Sequence, residues 1–338
     1  MLYLIDHHGI MACSAATLGF APRYARVCYL RPHAPATIRS RPFVTFSSTG
    51  SSPSHHSRRS MSGTTAGHYE SHTADSYEKA YFYSPGEYTD YLRDTVKQAL
   101  RLHSSSSSSS AIRRRLIDIG GGTGNFTRMI LEGVPNTEGV VIDPFLESGG
   151  SDARSAGDDI QFVKASAQDF AQTASSSNGD EWWKSGYHCI LMKEVVHHFP
   201  YDARSGIFRG LRSGLAKLES NDPSLLIVTR PDRSLDYPLW PAARKVWAAN
   251  QPSASDIILD LEAAGFQDVQ SKVQTYPASI KLDRWLDMVQ SRFWSTFAKF
   301  SDAELEAACD LIREEAQSKT DGDGIVHFED RLVFISAR

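Results

Sequence analysis

The sequence predicts an α/β fold in which one doubly wound, seven-stranded and mostly parallel sheet is flanked by helices. Beyond residue 111, short apolar runs alternate with helical stretches, which is the pattern of βαβ units. A glycine-rich turn, Gly120–Gly124, joins one apolar run directly to a helical stretch. Two long runs near the end of the chain flank an amphipathic helical insertion, so we expect them to pair antiparallel at an edge of the sheet.

The seven strands are predicted from apolar runs bounded by turn residues. They are Leu116–Ile119, Gly139–Ile142, Gln161–Val163, Cys189–Met192, Leu225–Thr229, Asp268–Tyr276 and Val326–Ser336. They belong to one predicted domain, residues 111–338, with two aromatic-rich insertions at 231–250 and 281–320.

Ahead of that domain the composition changes twice. Residues 1–69 contain seven Arg, no Lys and one acid, and such an Arg-rich, Ser-rich start is typical of a transit peptide. We therefore expect residues 1–62 to direct the protein to a mitochondrion or plastid, whereas translation from Met61 would give a cytoplasmic protein. Residues 68–103 predict a cap of two helices separated by a Ser-Pro-Gly break, and residues 104–110 predict a Ser linker.

The remainder of the chain is acidic. The full chain has 36 basic and 40 acidic residues, and removing the seven Arg and one Asp of residues 1–69 leaves 29 and 39, a net charge of −10. A nucleic-acid partner is therefore not expected. No apolar run approaches the roughly 18 residues of a membrane helix, so no membrane partner is expected. Cys189 and Cys309 alone make neither a disulfide framework nor a metal site.

The most informative segment is the turn Gly120-Gly121-Gly122-Thr123-Gly124. Glycines at a strand-to-helix turn allow positive φ and a close approach of ligand to backbone, which favours a nucleotide or nucleoside. The dinucleotide pattern would need a further glycine at Asn125 or Thr127. Asp143 lies 19 residues beyond Gly124, at the end of the second strand, where a carboxylate can accept hydrogen bonds from ribose hydroxyls.

From Tyr77 onward, these features resemble the class I S-adenosylmethionine-dependent methyltransferases, and most closely the small-molecule group called methyltransferase type 11. The resemblance implies a Rossmann-like methyltransferase fold, S-adenosyl-L-methionine as the cofactor and methyl transfer as the activity. It implies that the ribose binds Asp143, with Pro144 and Phe145 beside the adenine. The residues implied to hold the methionine end of the cofactor are Asp118, Gly120, Gly122 and Gly124.

Two further segments resemble motifs of the same family. Phe162–Phe170 is similar to the motif that contacts the adenine edge, but Ser166 replaces the usual Asp. The adenine amino group would then meet Ser166, Gln168 or the backbone at Ala167. Cys189–Phe199 is similar to the fourth motif, a strand running into a helix that often carries a His pair.

The end of that fourth strand carries the candidate catalytic residues. Ligands sit outside the carboxyl ends of the strands in open α/β sheets, which places Lys193, on the cofactor side, and Glu194 near the reaction centre. Glu194 occupies a place that is commonly apolar in the family, and either it or His198 is a candidate base; Glu194 can equally steer a cationic acceptor. Adjacent residues on a helix face different directions, so at most one of His197 and His198 should point at substrate.

Substrate choice is expected to come from the cap and the two insertions. Their aromatic residues either line the crevice or pack as core, and an arginine can bind a carboxylate on the acceptor. The candidate substrate residues are Tyr81, Tyr88, His197, Arg230, Trp240, Arg292 and Trp294.

These observations favour a metal-independent methyltransferase that acts on a small molecule. In-line methyl transfer chiefly requires that donor and nucleophile be aligned in a dry pocket. Two alternatives stay open. A protein or nucleic-acid methyltransferase is opposed by the charge of −10 and by the lack of an Asn/Asp-Pro-Pro-aromatic signature after the fourth strand. A catalytically silent methyltransferase-like protein would bind the cofactor and assist a partner.

Overall fold

Seven strands form one sheet in the computed structural model, which describes residues 87–102, 113–146, 160–175, 186–216 and 224–338. The strands are β1 (Arg114–Ile119), β2 (Thr137–Ile142), β3 (Ile160–Val163), β4 (Cys189–Lys193), β5 (Leu225–Thr229), β6 (Gln270–Lys281) and β7 (Ile325–Ala337). Their order in the sheet is β3-β2-β1-β4-β5-β7-β6. The first five are parallel, and β7 runs antiparallel to both β5 and β6. The predicted mostly parallel sheet with an antiparallel edge pair is confirmed.

The central strands are largely buried because helices cover both faces of the sheet. Every residue of β5 is buried, and so is every residue of β2. On one face lie α1 (Glu87–Ala99) and α2 (Asn125–Leu131). On the other face lie α3 (Ala167–Ser175), α4 (Arg204–Ser213) and α6 (Ala254–Ala263).

Helix α1 is the second helix of the predicted cap, and it begins directly after the Ser-Pro-Gly break. Its buried residues Tyr88, Leu92 and Val96 pack with the sheet and α2 in one core cluster. It is therefore a layer of the domain that packs on the sheet. The predicted first cap helix with Tyr81, the Ser linker and the targeting segment 1–62 lie outside the described residues.

The two insertions form one aromatic core beyond the parallel sheet. Strands β6 and β7 have 12 and 13 residues, whereas β5 has five and pairs only with Val333–Ala337. The rest of the β6–β7 ribbon therefore extends past the carboxyl end of β5, and this continued pairing is why β6 runs beyond its predicted end at Tyr276. Three helices pack on this ribbon, α5 (Pro241–Asn250), α7 (Leu282–Gln290) and α8 (Asp302–Ala316). The rings of this aromatic core are Tyr237, Trp240, Trp247, Trp285, Phe293, Trp294, Phe297 and Phe328.

Trp240 and Trp294 were predicted to line the substrate crevice, and the structure places both in this aromatic core. They are only 4% and 6% exposed. Trp240 stacks on Phe297 with ring centroids 5.7 Å apart, and Trp294 stacks on the same ring at 5.4 Å. These rings hold the insertions together because stacked and edge-to-face aromatic pairs stabilise beyond the area that they bury.

Among the described residues, no helix is both long enough and apolar enough to cross a membrane. The same residues include no group of three or more His, Cys, Asp and Glu side chains placed to hold a metal ion.

Candidate functional site

The sequence-predicted cofactor residues gather at one edge of the sheet. β3, β2, β1 and β4 are parallel neighbours, so the loops that follow them leave from the same carboxyl edge. The structure thereby brings together the turn after β1, Asp143 after β2, Ser166 after β3 and Glu194 after β4.

The three alternate glycines of the first turn all have left-handed backbone, with φ of 73° at Gly120, 54° at Gly122 and 74° at Gly124. A Cβ on Gly120 would lie 2.6 Å from Val195 Cγ2, and one on Gly124 would lie 2.9 Å from Phe162 Cζ, so these two glycines permit tight packing. A Cβ on Gly122 would meet no atom within 4 Å. Gly122 therefore faces open space at the strand ends, where a ligand can approach its backbone.

Asp143 is fastened to this turn by its carboxylate. The backbone N–H of Gly122 donates to Oδ2 at 3.1 Å, and the N–H of Phe145 donates to Oδ1 at 2.8 Å. Burial raises the pKa of Asp143, and the two N–H bonds oppose that rise. The ring of Phe145 is 43% exposed and Pro144 is exposed beside it, so this segment offers an apolar surface next to a fixed carboxylate.

Asp118 lies near the end of β1 and is buried. The hydroxyl of Thr127 donates a hydrogen bond to its Oδ2 at 2.6 Å. Burial raises the pKa of Asp118 to about 6, while the Thr127 hydrogen bond and the positive charge of Lys193 oppose the rise. The folded protein therefore holds a proton on this carboxyl more tightly than the unfolded chain does.

We expect Asp118→Asn to stabilise the protein at neutral pH. The folded-state pKa is above the ordinary carboxyl value of about 4, so this group's contribution is fully present below about pH 4 and is lost as pH rises through about 6. Asn removes the charge and keeps an acceptor for Thr127, so the variant should be more stable at pH 7 by on the order of 2 to 3 kcal/mol and nearly equal at pH 4. Urea unfolding of both proteins across this range is the measurement, and parallel pH profiles would contradict the expectation.

The third motif begins helix α3. The hydroxyl of Ser166 accepts the N–H of Asp169 at 3.1 Å and donates to its carboxylate at 2.7 Å. Ser166 thus caps the helix, in the way that Ser commonly does at helix starts. Gln168 is exposed and Ala167 is the first residue of the helix.

Glu194 follows β4 in an unusual backbone conformation. Its φ is +57°, while its N–H still donates to the carbonyl oxygen of Val228 at 2.8 Å. A left-handed conformation costs a residue with a Cβ roughly 1 to 2 kcal/mol. Such strain tends to lie at functional sites, where the surrounding structure holds the residue in place. No sequence signal indicates this conformation, because it is Glu and not Gly that adopts it.

The side chain of Glu194 joins a buried polar network. Its Oε2 pairs with Nη1 of Arg230, whose side chain is 2% exposed. Arg230 also donates through Nε to Tyr237 Oη at 2.7 Å, and through Nε and Nη2 to Asp330 at 3.3 and 3.4 Å. The hydroxyls of Tyr88 and Tyr237 both donate to Asp330, which is 0% exposed.

This network corrects two substrate predictions. Arg230 was expected to bind a carboxylate on the acceptor, and it instead lies buried between the protein's own Glu194 and Asp330. Tyr88 was expected to contact substrate, and its fully buried hydroxyl instead donates to Asp330. Asp330 was missed because it is 100 positions from Arg230 in the sequence and reaches it only through β7, which runs antiparallel to β5.

The His pair lies in a short 3-10 turn, Val196–His198, with its ring centroids 4.0 Å apart. Nδ1 of His197 is buried and has no hydrogen-bond partner, and the same is true of Glu194 Oε1. Burial, reinforced by His198 and Arg230, holds the pKa of His197 well below its usual value, so its ring is neutral at physiological pH. Lys193 lies on the other side of Glu194 in sequence, with Nζ 5.2 Å from the ring centroid of Phe126 on α2.

Arg292 makes its hydrogen bonds within the second insertion. Its Nη2 donates to the carbonyl oxygen of Phe300 at 3.0 Å and to Asp302 at 2.5 Å, both within the second insertion. In the structure Arg292 thus fixes the turn after α7, and its assignment to substrate stays a prediction.

The sheet decides the fold class. A β3-β2-β1-β4-β5-β7-β6 order in which only β7 is reversed is the arrangement of class I S-adenosylmethionine-dependent methyltransferases. The protein has the class I methyltransferase fold. In that fold, the glycine turn, Asp143 and Glu194 follow β1, β2 and β4 at the carboxyl edge, where ligands of open α/β sheets bind.

Solved structures similar to this methyltransferase fold share little sequence with it. A candidate methyltransferase of an antibiotic biosynthesis pathway from Anabaena variabilis is 12% identical, with a TM-score of 0.49 over 72% of this chain and 96% of its own. A cyclopropane-fatty-acyl-phospholipid synthase-like protein from Lactobacillus casei is 11% identical, with a TM-score of 0.46 over 73% and 90%.

A third similar structure is phosphoethanolamine N-methyltransferase 2 from Haemonchus contortus, in complex with phosphomonomethylethanolamine and S-adenosylhomocysteine. It is 14% identical, with a TM-score of 0.45, and the alignment covers 80% of this chain and 59% of that one. No protein-family model and no curated protein matches the sequence.

Proposed function

We propose that the protein binds S-adenosylmethionine and transfers its methyl group to a small-molecule acceptor. The observation that carries the proposal is the clasp between Asp143 and the glycine turn, in which a partly buried carboxylate is fixed by the N–H of Gly122 beside an open backbone. A fixed acceptor for ribose hydroxyls next to a glycine cradle is the arrangement that a nucleoside cofactor requires.

The residues present fit that cofactor. Space at Gly122 accommodates a ligand that any side chain there would displace. Asp118 would hold the methionine end, Asp143 the ribose, and Pro144 with Phe145 the adenine face. The adenine edge would meet Gln168 or the backbone at Ala167, with Ser166 already engaged as a helix cap. Bound there, S-adenosylmethionine supplies an electrophilic methyl group on a sulfonium.

The chain's own residues then align the acceptor and exclude water, which are the main tasks in an in-line displacement. Glu194 is held rigidly by Arg230 at the strand end, and burial raises its pKa, with Arg230 and Lys193 opposing. A carboxylate whose pKa is raised is a better base for a proton of the acceptor, and a hydroxyl acceptor needs such a base whereas an amine lone pair does not.

A small acceptor is supported by the charge of the chain and by the insertions. The net charge of −10 beyond residue 69 opposes a polyphosphate substrate. The aromatic core stands on the β6–β7 ribbon past the carboxyl end of β5, at the same edge of the sheet as the clasp, with β4 and β5 between them. Connections at these ends are where such folds build their pockets.

Replacement of Asp143 by Ala should weaken cofactor binding. The loss expected is about 1.5 to 3 kcal/mol, the range for hydrogen bonds to a charged group, because the ribose loses its acceptor and Gly122 loses its anchor. Calorimetry with S-adenosylhomocysteine measures it. Asp143→Asn, which keeps one acceptor oxygen, should lose less, and Asp202→Ala at an exposed acid should lose nothing. Tighter binding of NAD than of S-adenosylmethionine would contradict the cofactor assignment.

Transfer itself is tested with recombinant protein, labelled cofactor and a small-molecule extract of the source cells. A labelled product below the size of a peptide supports the proposal. Label found in protein or nucleic acid would show that the acceptor is a macromolecule and not a small molecule. Cofactor binding without any labelled product would identify a silent cofactor-binding protein.

A further inference from the structure

Two buried polar atoms at the strand ends have no partner, Oε1 of Glu194 and Nδ1 of His197. Leaving such an atom buried and unpaired costs roughly 1 to 3 kcal/mol, and more for a charged group. Native proteins therefore rarely keep one without a functional reason. Here the two atoms belong to residues three positions apart, and both residues interact electrostatically with Arg230.

Arg230 is shared between two acids. Its guanidinium is bracketed by two carboxylates, Glu194 at Nη1 and the fully buried Asp330 at Nε and Nη2. Tyr88 and Tyr237 also donate hydrogen bonds to Asp330. Glu194 is the acid that can meet a ligand, because its second oxygen accepts no hydrogen bond and its side chain is 17% exposed.

The two other basic groups near Glu194 do not pair with that oxygen. The positive charge of Lys193 opposes the rise in the pKa of Glu194. Its ammonium lies 5.2 Å from the Phe126 ring centroid on the α2 side and makes no hydrogen bond to Glu194 Oε1. His197 is neutral, because burial holds its pKa well below the usual value. The two atoms without a partner are thus a carboxylate oxygen of Glu194 and a ring nitrogen of the neutral His197.

A ligand that pairs with Glu194 Oε1 must donate a hydrogen bond and carry no negative charge. A carboxylate would be repelled by Glu194, and a thioether donates nothing. An alcohol offers the carboxylate one uncharged O–H. An amine has several N–H groups and, when protonated, brings a positive charge to the carboxylate.

We propose that the acceptor is an amine, whose N–H groups bind Glu194 Oε1 and the neighbouring His197. That the bound group is the methyl acceptor rests on the proposed function. That the bound group is an amine rests on the chemistry of Glu194 and His197 alone. Because both atoms are closed to solvent, the bound nitrogen is desolvated, and its interaction with the carboxylate is strengthened accordingly.

The test is a panel of fragments that share a carbon skeleton and differ in one group, such as 2-phenylethylamine, 2-phenylethanol, ethyl phenethyl sulfide and 3-phenylpropanoate, together with aliphatic and indole sets. Each is titrated at millimolar concentration into the full chain saturated with S-adenosylhomocysteine, and binding is followed by ligand-observed NMR. We expect amines to bind at least tenfold better than their matched alcohols, sulfides and acids. Equal binding across a set, or no amine binding in any set, would overturn the proposal.

The matched variant is Glu194→Gln. It keeps an oxygen for Arg230 and leaves the Arg230–Asp330 pair intact, but it removes the charge and places an N–H₂ donor where an acceptor stood. Amine selectivity should fall at least tenfold. Asp202→Asn removes an exposed acid after the His turn and should leave it unchanged. Retained selectivity in Glu194→Gln would also overturn the proposal, and if that variant does not fold, the wild-type panel still decides.

Failure of this inference and failure of the proposed function give different results. Calorimetry with S-adenosylhomocysteine on the same preparation tests the cofactor site alone. If the cofactor binds and amines do not, only the amine proposal fails. If the cofactor does not bind, the methyltransferase proposal fails, whatever the fragments do. In the labelling assay, an N-methyl product agrees with the inference, and an O-, S- or C-methyl product contradicts it.

Discussion

Gly122→Val should abolish measurable binding of S-adenosylmethionine and S-adenosylhomocysteine. No atom lies within 4 Å of the Cβ position, so the new side chain points into open space, where the valine fills the room that the cofactor needs. The φ of +54° adds backbone strain, on the order of 1 to 2 kcal/mol for a residue with a Cβ. Isothermal titration calorimetry on both proteins is the measurement.

Gly133→Val is the matched control for that strain. Gly133 has a φ of +71°, and a Cβ there also meets nothing within 4 Å, but it lies in the exposed turn after α2. This variant should lose some stability and keep its affinity for the cofactor. Unchanged affinity in Gly122→Val, or an equal loss in both variants, would remove the glycine turn from the cofactor site.

Arg230→Met should destabilise the protein by about 3 to 5 kcal/mol, the usual cost of removing one partner from a buried ion pair. Methionine has a similar length, but it leaves Asp330, which is 0% exposed, and Glu194 without the guanidinium that pairs with both of them. Urea unfolding followed by far-UV circular dichroism gives the free energy of unfolding. Because excess buried charge causes the loss, the triple variant with Glu194→Gln and Asp330→Asn should recover most of it.

Arg292→Met is the control for the arginine-to-methionine change. Its ion pair with Asp302 is solvent-accessible, with side chains 33% and 92% exposed, and exposed pairs contribute about 0 to 1 kcal/mol. If Arg230→Met lost no more stability than Arg292→Met, the network around Arg230 would not stabilise the fold.

The order of the strands along the chain and the glycine turn could be predicted from sequence because their signals are local. An apolar run such as Leu225–Thr229 is buried on both faces, and its composition shows it. A glycine-rich turn after one strand and an acid after the next strand are likewise local sequence signals. The length of β6 was not, because its second half is strand only through its pairing with β7.

The acceptor side of the site depends on contacts between distant residues, and the sequence carries no signal for them. Arg230 looks the same in sequence whether it meets a ligand or Asp330, and β7 brings Asp330 to it from 100 positions away. Aromatic residues at helical spacing are equally compatible with a pocket and with a core. Trp240 and Trp294 turned out to be core because the two insertions pack on each other.

The aromatic core also contains several of the tryptophans whose fluorescence the protein emits. Among the residues that the structure describes, every tryptophan belongs to that core, namely Trp240, Trp247, Trp285 and Trp294. Substituting phenylalanine for Trp182 and Trp183, which lie outside the described residues, would leave emission that originates in the insertions alone. Fluorescence would then report on the insertions while circular dichroism reports on the helices and sheet, so the intrinsic chromophores can follow how the insertions respond when the crevice is filled.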